Sequence, residues 1–104
     1  MIDSNIENIK NIILQTVPCV MIYLFGSHAY GTPNENSDYD FYVVVSDQLR
    51  PNDVTDSIYH ALYKKTGKKP VDILVKKESD FESRKALPTL ENEIYQKGVM
   101  LYGA

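Results

Sequence analysis

The chain has 104 residues, 43% hydrophobic and 24% charged, with a formal net charge of −3. That length suits a single domain spanning residues 1–104, and the apolar content excludes a disordered chain. The acidic balance argues against a nucleic-acid partner, and the single cysteine, Cys19, excludes an internal disulfide framework and a cysteine-built zinc site.

Cys19 lies in an apolar run and reads as a buried structural thiol, consistent with a reducing compartment. The N-terminus carries Asp3 and Glu7 rather than a basic patch and an apolar stretch. The longest apolar run, Val17 to Phe25, is too short to cross a bilayer. A soluble cytoplasmic chain is the expectation. A domain this small buries a modest share of its surface, so a partner subunit would help it, whether a second copy or another protein.

Taken in chain order, Ser4 followed by Glu7 reads as a capping box. Ile6, Ile9, Ile13 and Val17 recur at helical spacing, which predicts an amphipathic helix over residues 4–16, stopped by Pro18. Val20 to Phe25 is rich in β-branched and aromatic residues and reads as a buried strand. Gly26, Gly31 and Pro33 punctuate a turn, and Asn34, Asn36 and Ser37 extend it. A second strand is expected from Tyr39 to Val45, then a loop from Ser46 to Asn52. Asp53 to Lys65 is helical, with Val54, Ile58, Ala61 and Leu62 on one face and Gly67 to end it. Val71 to Val75 is a third strand that puts Val71, Ile73 and Val75 on one face and Asp72 and Leu74 on the other. Residues 79–85 predict a helical turn. Thr89 caps a last helix running to Lys97 and closed by Gly98, and Val99 to Tyr102 reads as an edge strand.

The short link between strands one and two implies an antiparallel pair. The helix between strands two and three implies parallel neighbours. The expected fold class is α/β, a small mixed sheet flanked by helices.

Chemistry concentrates at Ser37-Asp38-Tyr39-Asp40-Phe41. On a strand, Asp38 and Asp40 project to the same side. Two adjacent carboxylates repel, and a hard divalent cation such as Mg²⁺ relieves the repulsion. A polar strand cap would also use Asp here. Asp72 interrupts an apolar strand, and a buried lone carboxylate there would need a partner. If strands two and three are neighbours, Asp72 faces the same site. Three such carboxylates make a two-metal site, one ion activating the attacking oxygen and the other holding a triphosphate. Gly26 and Ser27 end the first strand, and a glycine there lets phosphate approach backbone N–H groups and the Ser27 hydroxyl.

Ten residues separate Ser27 from Asp38. Gly-Ser, ten residues, then Asp-x-Asp closely resembles the signature of the minimal nucleotidyltransferases of the polymerase-beta-like superfamily. The resemblance extends to Phe25, to the run Phe41 to Val45 and to Asp72, and the terminal segment from Gly98 to Gly103 is also similar. It implies a nucleotidyltransferase fold like the polymerase-beta palm. Gly26 and Ser27 would bind the nucleotide. Asp38, Asp40 and Asp72 would be the catalytic metal ligands for two Mg²⁺ ions, with ATP as substrate. Asp72 would help deprotonate an acceptor hydroxyl. It also implies an antitoxin that transfers AMP to a tyrosine of a small helical HEPN-type partner.

The segment departs from the common Gly-Ser-Arg-x-Arg-Gly pattern, because His28 and Tyr30 stand where arginines are expected. His28 reads equally as a phosphate contact or a turn residue. Tyr30 reads as a packing residue or a base-stacking ring at an open rim, and His60 as a surface residue. Lys64, Lys65, Lys68, Lys69, Lys76 and Lys77 crowd one segment. They form either a solvated helix end with its following loop or a cationic wall facing phosphates. Two other readings stay open: a binding module with idle carboxylates, and transfer to a small molecule or RNA.

Overall fold

In the computed structural model, residues 4–33, 37–67 and 70–103 are described. The elements are α1 (Ser4–Thr16), β1 (Met21–Phe25), α2 (Ser27–Tyr30), β2 (Tyr39–Val45), α3 (Pro51–Thr66), β3 (Val71–Lys77), α4 (Glu78–Arg84), α5 (Leu90–Lys97) and β4 (Val99–Tyr102). The sheet order is β3-β2-β1-β4. β1 is antiparallel to both β2 and β4, and β2 is parallel to β3. The mixed sheet flanked by helices is the architecture expected from the sequence.

Strand parity divides the core into two layers. On one face Ile22, Leu24, Phe41, Val43, Val45, Ile73 and Val75 pack against the apolar stripes of α1 and α3. Those stripes are Ile6, Ile9, Ile12 and Ile13, and Val54, Ile58 and Leu62. On the other face Tyr23, Tyr42 and Val44 pack against Phe81 of α4 and Ile94 of α5. Fully burying one such side chain contributes roughly 1.5–3 kcal/mol. The two layers therefore hold the sheet rigid from both sides.

Most expected boundaries hold, and the exceptions have local causes. Pro51 occupies the first turn of α3, where its missing N–H is harmless, so the helix starts two residues before the expected Asp53. Gly67 ends α3 with φ 73°, its N–H donating to the Tyr63 carbonyl at 2.9 Å. The Thr89 side chain accepts from the Asn92 N–H at 3.2 Å, the expected cap of α5. Glu7 pairs with Lys10 one turn on. β3 runs on through Lys77, and residues 78–84 form a two-turn helix where a single turn was expected. The expected turn after β1 contains a four-residue helix, α2. Asn34 and Asn36 lie outside the described residues. Among the described residues, no helix is long and apolar enough to cross a membrane.

Candidate functional site

The site forms where β1 ends and β2 and β3 begin. Phe25, the last residue of β1, is in register with Asp40. The chain then turns sharply at Gly26, with φ 74° and ψ −156°. A Cβ on Gly26 would collide with Asp40 Oδ2, so the backbone and the carboxylate share a space only glycine leaves open. The Gly26 carbonyl accepts from the Ala29 and Tyr30 N–H groups at 3.0 and 3.1 Å. The Ser27 and His28 amides precede the first of these helical bonds, as at any helix start. Gly31 closes the turn: its N–H donates to the Ser27 carbonyl at 3.1 Å, and a Cβ there would lie 2.7 Å from Ser27 Cα.

The parallel β2–β3 pair brings the carboxylates together. The Tyr39 N–H donates to the Pro70 carbonyl at 2.8 Å, which sets the register, and Asp40 then lies directly opposite Asp72. Asp40, Tyr42 and Val44 share one face of β2, and Asp72, Leu74 and Lys76 share the same face of β3. Asp38 precedes the strand, two residues before Asp40.

Asp40 is half-buried, whereas Asp38 and Asp72 are exposed. This corrects the expectation of a buried Asp72. β3 is an edge strand, and the buried Phe81 of α4 and Ile94 of α5 pack on Tyr23, Tyr42 and Val44 of β1 and β2, while Asp72 on the same face of β3 stays open. Burial and then the charges of Asp72 and Asp38 raise the Asp40 carboxyl above its ordinary pKa; a hydrogen bond with Asp72 adds to the rise and His28 opposes it. Among the described residues, no three His, Cys, Asp or Glu side chains already stand in metal-holding geometry. The donor set nevertheless suits a hard divalent cation. The Asp40 and Asp72 carboxylates are in contact, the Asp38 charge also acts on Asp40, and that repulsion is what a cation would relieve.

The two substitutions in the turn acquire definite surroundings. The His28 ring stacks on Tyr39 with centroids 4.1 Å apart and 18° between planes, and its Nε2 lies 3.3 Å from the Ser37 carbonyl. Tyr30 is 40% exposed, and its hydroxyl donates to Glu93 Oε2 at 3.1 Å. Burial raises the Tyr30 pKa; a hydrogen bond with the Gly26 backbone opposes the rise, while the Glu93 bond and the charges of Glu93 and Asp40 add to it, so the hydroxyl remains a donor.

The four described lysines of the run do not form one wall in space. Lys64 and Lys65 end α3, and Lys65 Nζ donates to Gln15 Oε1 at 2.9 Å. Lys76 and Lys77 lie at the far end of β3, about 13–17 Å from Asp72 at roughly 3.3 Å per residue. Lys68 and Lys69 lie outside the described residues. His60 is exposed on α3. Cys19 is only half-buried, yet burial pushes its thiol up to about 11.

A polar cluster behind the site was not legible in the sequence. Glu91 is 3% exposed. It accepts from the Tyr42 hydroxyl at 2.8 Å and from Arg84 Nε at 2.9 Å. Burial pushes the Glu91 carboxyl up, but the bonds from Arg84 and Tyr42 outweigh it, and the net shift is downward. Tyr42 is fully buried, and burial followed by the Glu91 bond pushes its pKa up. In sequence, Glu91 looks like any acidic residue in a helix's first turn.

The polymerase beta nucleotidyltransferase family model matches residues 7–104. A search of curated proteins by sequence returns no significant match. Among solved structures, the chain is similar to a toxin–antitoxin complex with AMP-PNP, at 26% identity and TM-score 0.69, covering 96% of this chain and 74% of that one. It is similar in fold to a nucleotidyltransferase from Sulfolobus solfataricus, at 19% identity and TM-score 0.62, covering 94% and 77%. It is also similar in fold to the complex of a tri-AMPylated Shewanella oneidensis HEPN toxin with its MNT antitoxin, at 20% identity and TM-score 0.53, covering 96% and 71%.

Proposed function

This chain belongs to the polymerase beta nucleotidyltransferase family, and from that premise we propose that it transfers AMP from ATP to a tyrosine hydroxyl of a small helical HEPN-type protein, and so acts as a cytoplasmic antitoxin. The observation that carries this reading is the register of Asp40 with Asp72 directly beside the Gly26-Ser27 turn. The neighbour with AMP-PNP supports the nucleotide, and the AMPylated HEPN toxin with its MNT partner supports the acceptor class.

Each residue has a role its position allows. Gly26 lets the turn pass directly over Asp40, and the Ser27 and His28 amides with the Ser27 hydroxyl donate to the terminal phosphates. Asp38, Asp40 and Asp72 would hold two Mg²⁺ ions, which supply charge neutralisation at the phosphates and at the attacking oxygen. Asp72, exposed on the open face of β3, is where an incoming hydroxyl is within reach. The tyrosine oxygen forms a bond to the α-phosphorus, its proton passes to Asp72, and the bond to the bridging oxygen breaks to release pyrophosphate. The rate gain comes from positioning and electrostatic stabilisation, so few side chains suffice.

The test incubates the chain with ATP, Mg²⁺ and the helical protein encoded beside it, followed by intact-mass measurement. The expected result is one or more AMP additions to that protein, abolished in an Asp38→Asn, Asp40→Asn double variant. No AMP addition across metals and nucleotides would overturn the reading. The absence of a permanent cation at positions 28 and 30 favours one alternative, a binding module with idle carboxylates. In that case the double variant neutralises the partner as well as the unaltered chain does.

A further inference from the structure

α2 is too short to hold itself. It has four residues and a single turn of hydrogen bonds, far below the length at which a helix is stable alone. Its Ser27 can meet a ligand in fixed geometry only if side chains anchor the turn to larger elements. His28 supplies the anchor on the β2 side, through its stack on Tyr39 and its contact with the Ser37 carbonyl. On the opposite side, the Tyr30 hydroxyl reaches Glu93 of α5 across 63 positions of sequence.

α5 is a firm base for that contact. Ile94 is fully buried, and Glu91 is tied to Tyr42 and Arg84. Asn92 Nδ2 donates to the Lys85 carbonyl at 2.7 Å. One helix therefore grips both halves of the site. Glu91 holds β2 two residues from Asp40, and Glu93 holds α2 three residues from Ser27.

The geometry points to Tyr30 and Glu93 as a positioning pair, which pins the Gly26-Ser27 turn to α5 and fixes its placement over Asp40. The consequence for nucleotide binding rests on the proposed reading of that turn as the phosphate site. The pin itself does not. A negative charge at Glu93 is unfavourable to an anionic ligand, so simple electrostatics predicts that removing it strengthens nucleotide binding. Positioning predicts the opposite.

The experiment uses the full chain with Tyr30→Phe, Glu93→Ala, Glu93→Gln and the double variant Tyr30→Phe, Glu93→Ala. Both side chains are exposed, so the fold is not at risk. Calorimetry with AMP-PNP and Mg²⁺ reads binding, and amide hydrogen exchange without nucleotide reads the order of residues 27–31. Tyr30→Phe and Glu93→Ala should each weaken AMP-PNP about five-fold, as one lost hydrogen bond does. The double variant should be no worse than either single one. Glu93→Gln keeps an acceptor and should stay within roughly two-fold of the unaltered chain. Exchange at residues 27–31 should quicken in both single variants. Unchanged exchange overturns the pin. So does AMP-PNP binding that weakens in Tyr30→Phe but holds or tightens in Glu93→Ala, since Tyr30 would then act through the Gly26 backbone or the ligand and not through Glu93. If the unaltered chain binds no AMP-PNP, the nucleotidyl-transfer reading fails, and the exchange measurement still decides the pin.

Discussion

Replacing Glu91 with alanine strands a buried hydroxyl. Tyr42 is fully buried, and its hydroxyl donates to Glu91 Oε2 at 2.8 Å. Left without an acceptor, that hydroxyl costs about 1–3 kcal/mol. Loss of the Glu91 Cγ methylene adds about 0.8 kcal/mol. Arg84 is exposed enough to return to water and adds nothing to the sum. The total is about 2–4 kcal/mol, and at about 4–8 °C per kcal/mol for a domain this size Tm should fall by about 8–30 °C. Adding Tyr42→Phe removes the stranded hydroxyl, so the double variant should be less destabilised than the sum of the singles. The net downward shift of the Glu91 pKa means its stabilisation is present above its unfolded value of about 4.3. That stabilisation is lost as pH falls through the lower folded value. The gap between the parent chain and Glu91→Ala should therefore narrow in acid. Thermal and urea unfolding from pH 3 to 7 measure all of this. A penalty below about 1 kcal/mol, or a strictly additive cycle, would refute the reasoning.

Three further outcomes follow from the site. In EDTA, Asp40→Asn should raise Tm at pH 7, because a carboxyl whose folded pKa is raised destabilises once pH exceeds that value. The gain should vanish near pH 3.5, where folded and unfolded carboxyls are both largely protonated, and a pH-independent difference would count against it. Gly26→Ala forces a side chain to φ 74° and into Asp40 Oδ2. It should abolish AMP transfer and lower stability by about 1–3 kcal/mol, read by intact mass and urea unfolding. Cys19, its thiol pushed up to about 11 by burial, should react with a disulfide reagent at pH 7.5 many times more slowly than after denaturation.

Much of this molecule is written locally. The isoleucines of α1, the caps at Gly67 and Thr89 and the alternation along β3 each depend on neighbours a few residues away, and so are legible from the residues in order. The ten-residue interval between Ser27 and Asp38 is equally a property of the chain, and it led to the family. The connection lengths likewise carry the antiparallel β1–β2 and parallel β2–β3 pairs, and what the linear order does not carry is which faces are covered. Parallel pairing sets Asp72 opposite Asp40, and the edge position of β3 leaves Asp72 exposed, although its neighbours in the strand, Val71 and Ile73 to Val75, are apolar. The length of β3 carries Lys76 and Lys77 to its far end, away from Asp72, which disfavours the reading of one cationic wall. Glu91 is the sharpest case. Its charge and helical position mark it for the surface, yet the packing of α4 and α5 against β2 buries it, because only there do Tyr42 and Arg84 converge on it from separate elements. Local residue order determined the elements and the Gly26-Ser27, Asp38, Asp40 motif. The tertiary structure alone decided that Asp72 is exposed and how Glu91 and Tyr30 support that motif, because such contacts form between residues that the chain keeps far apart.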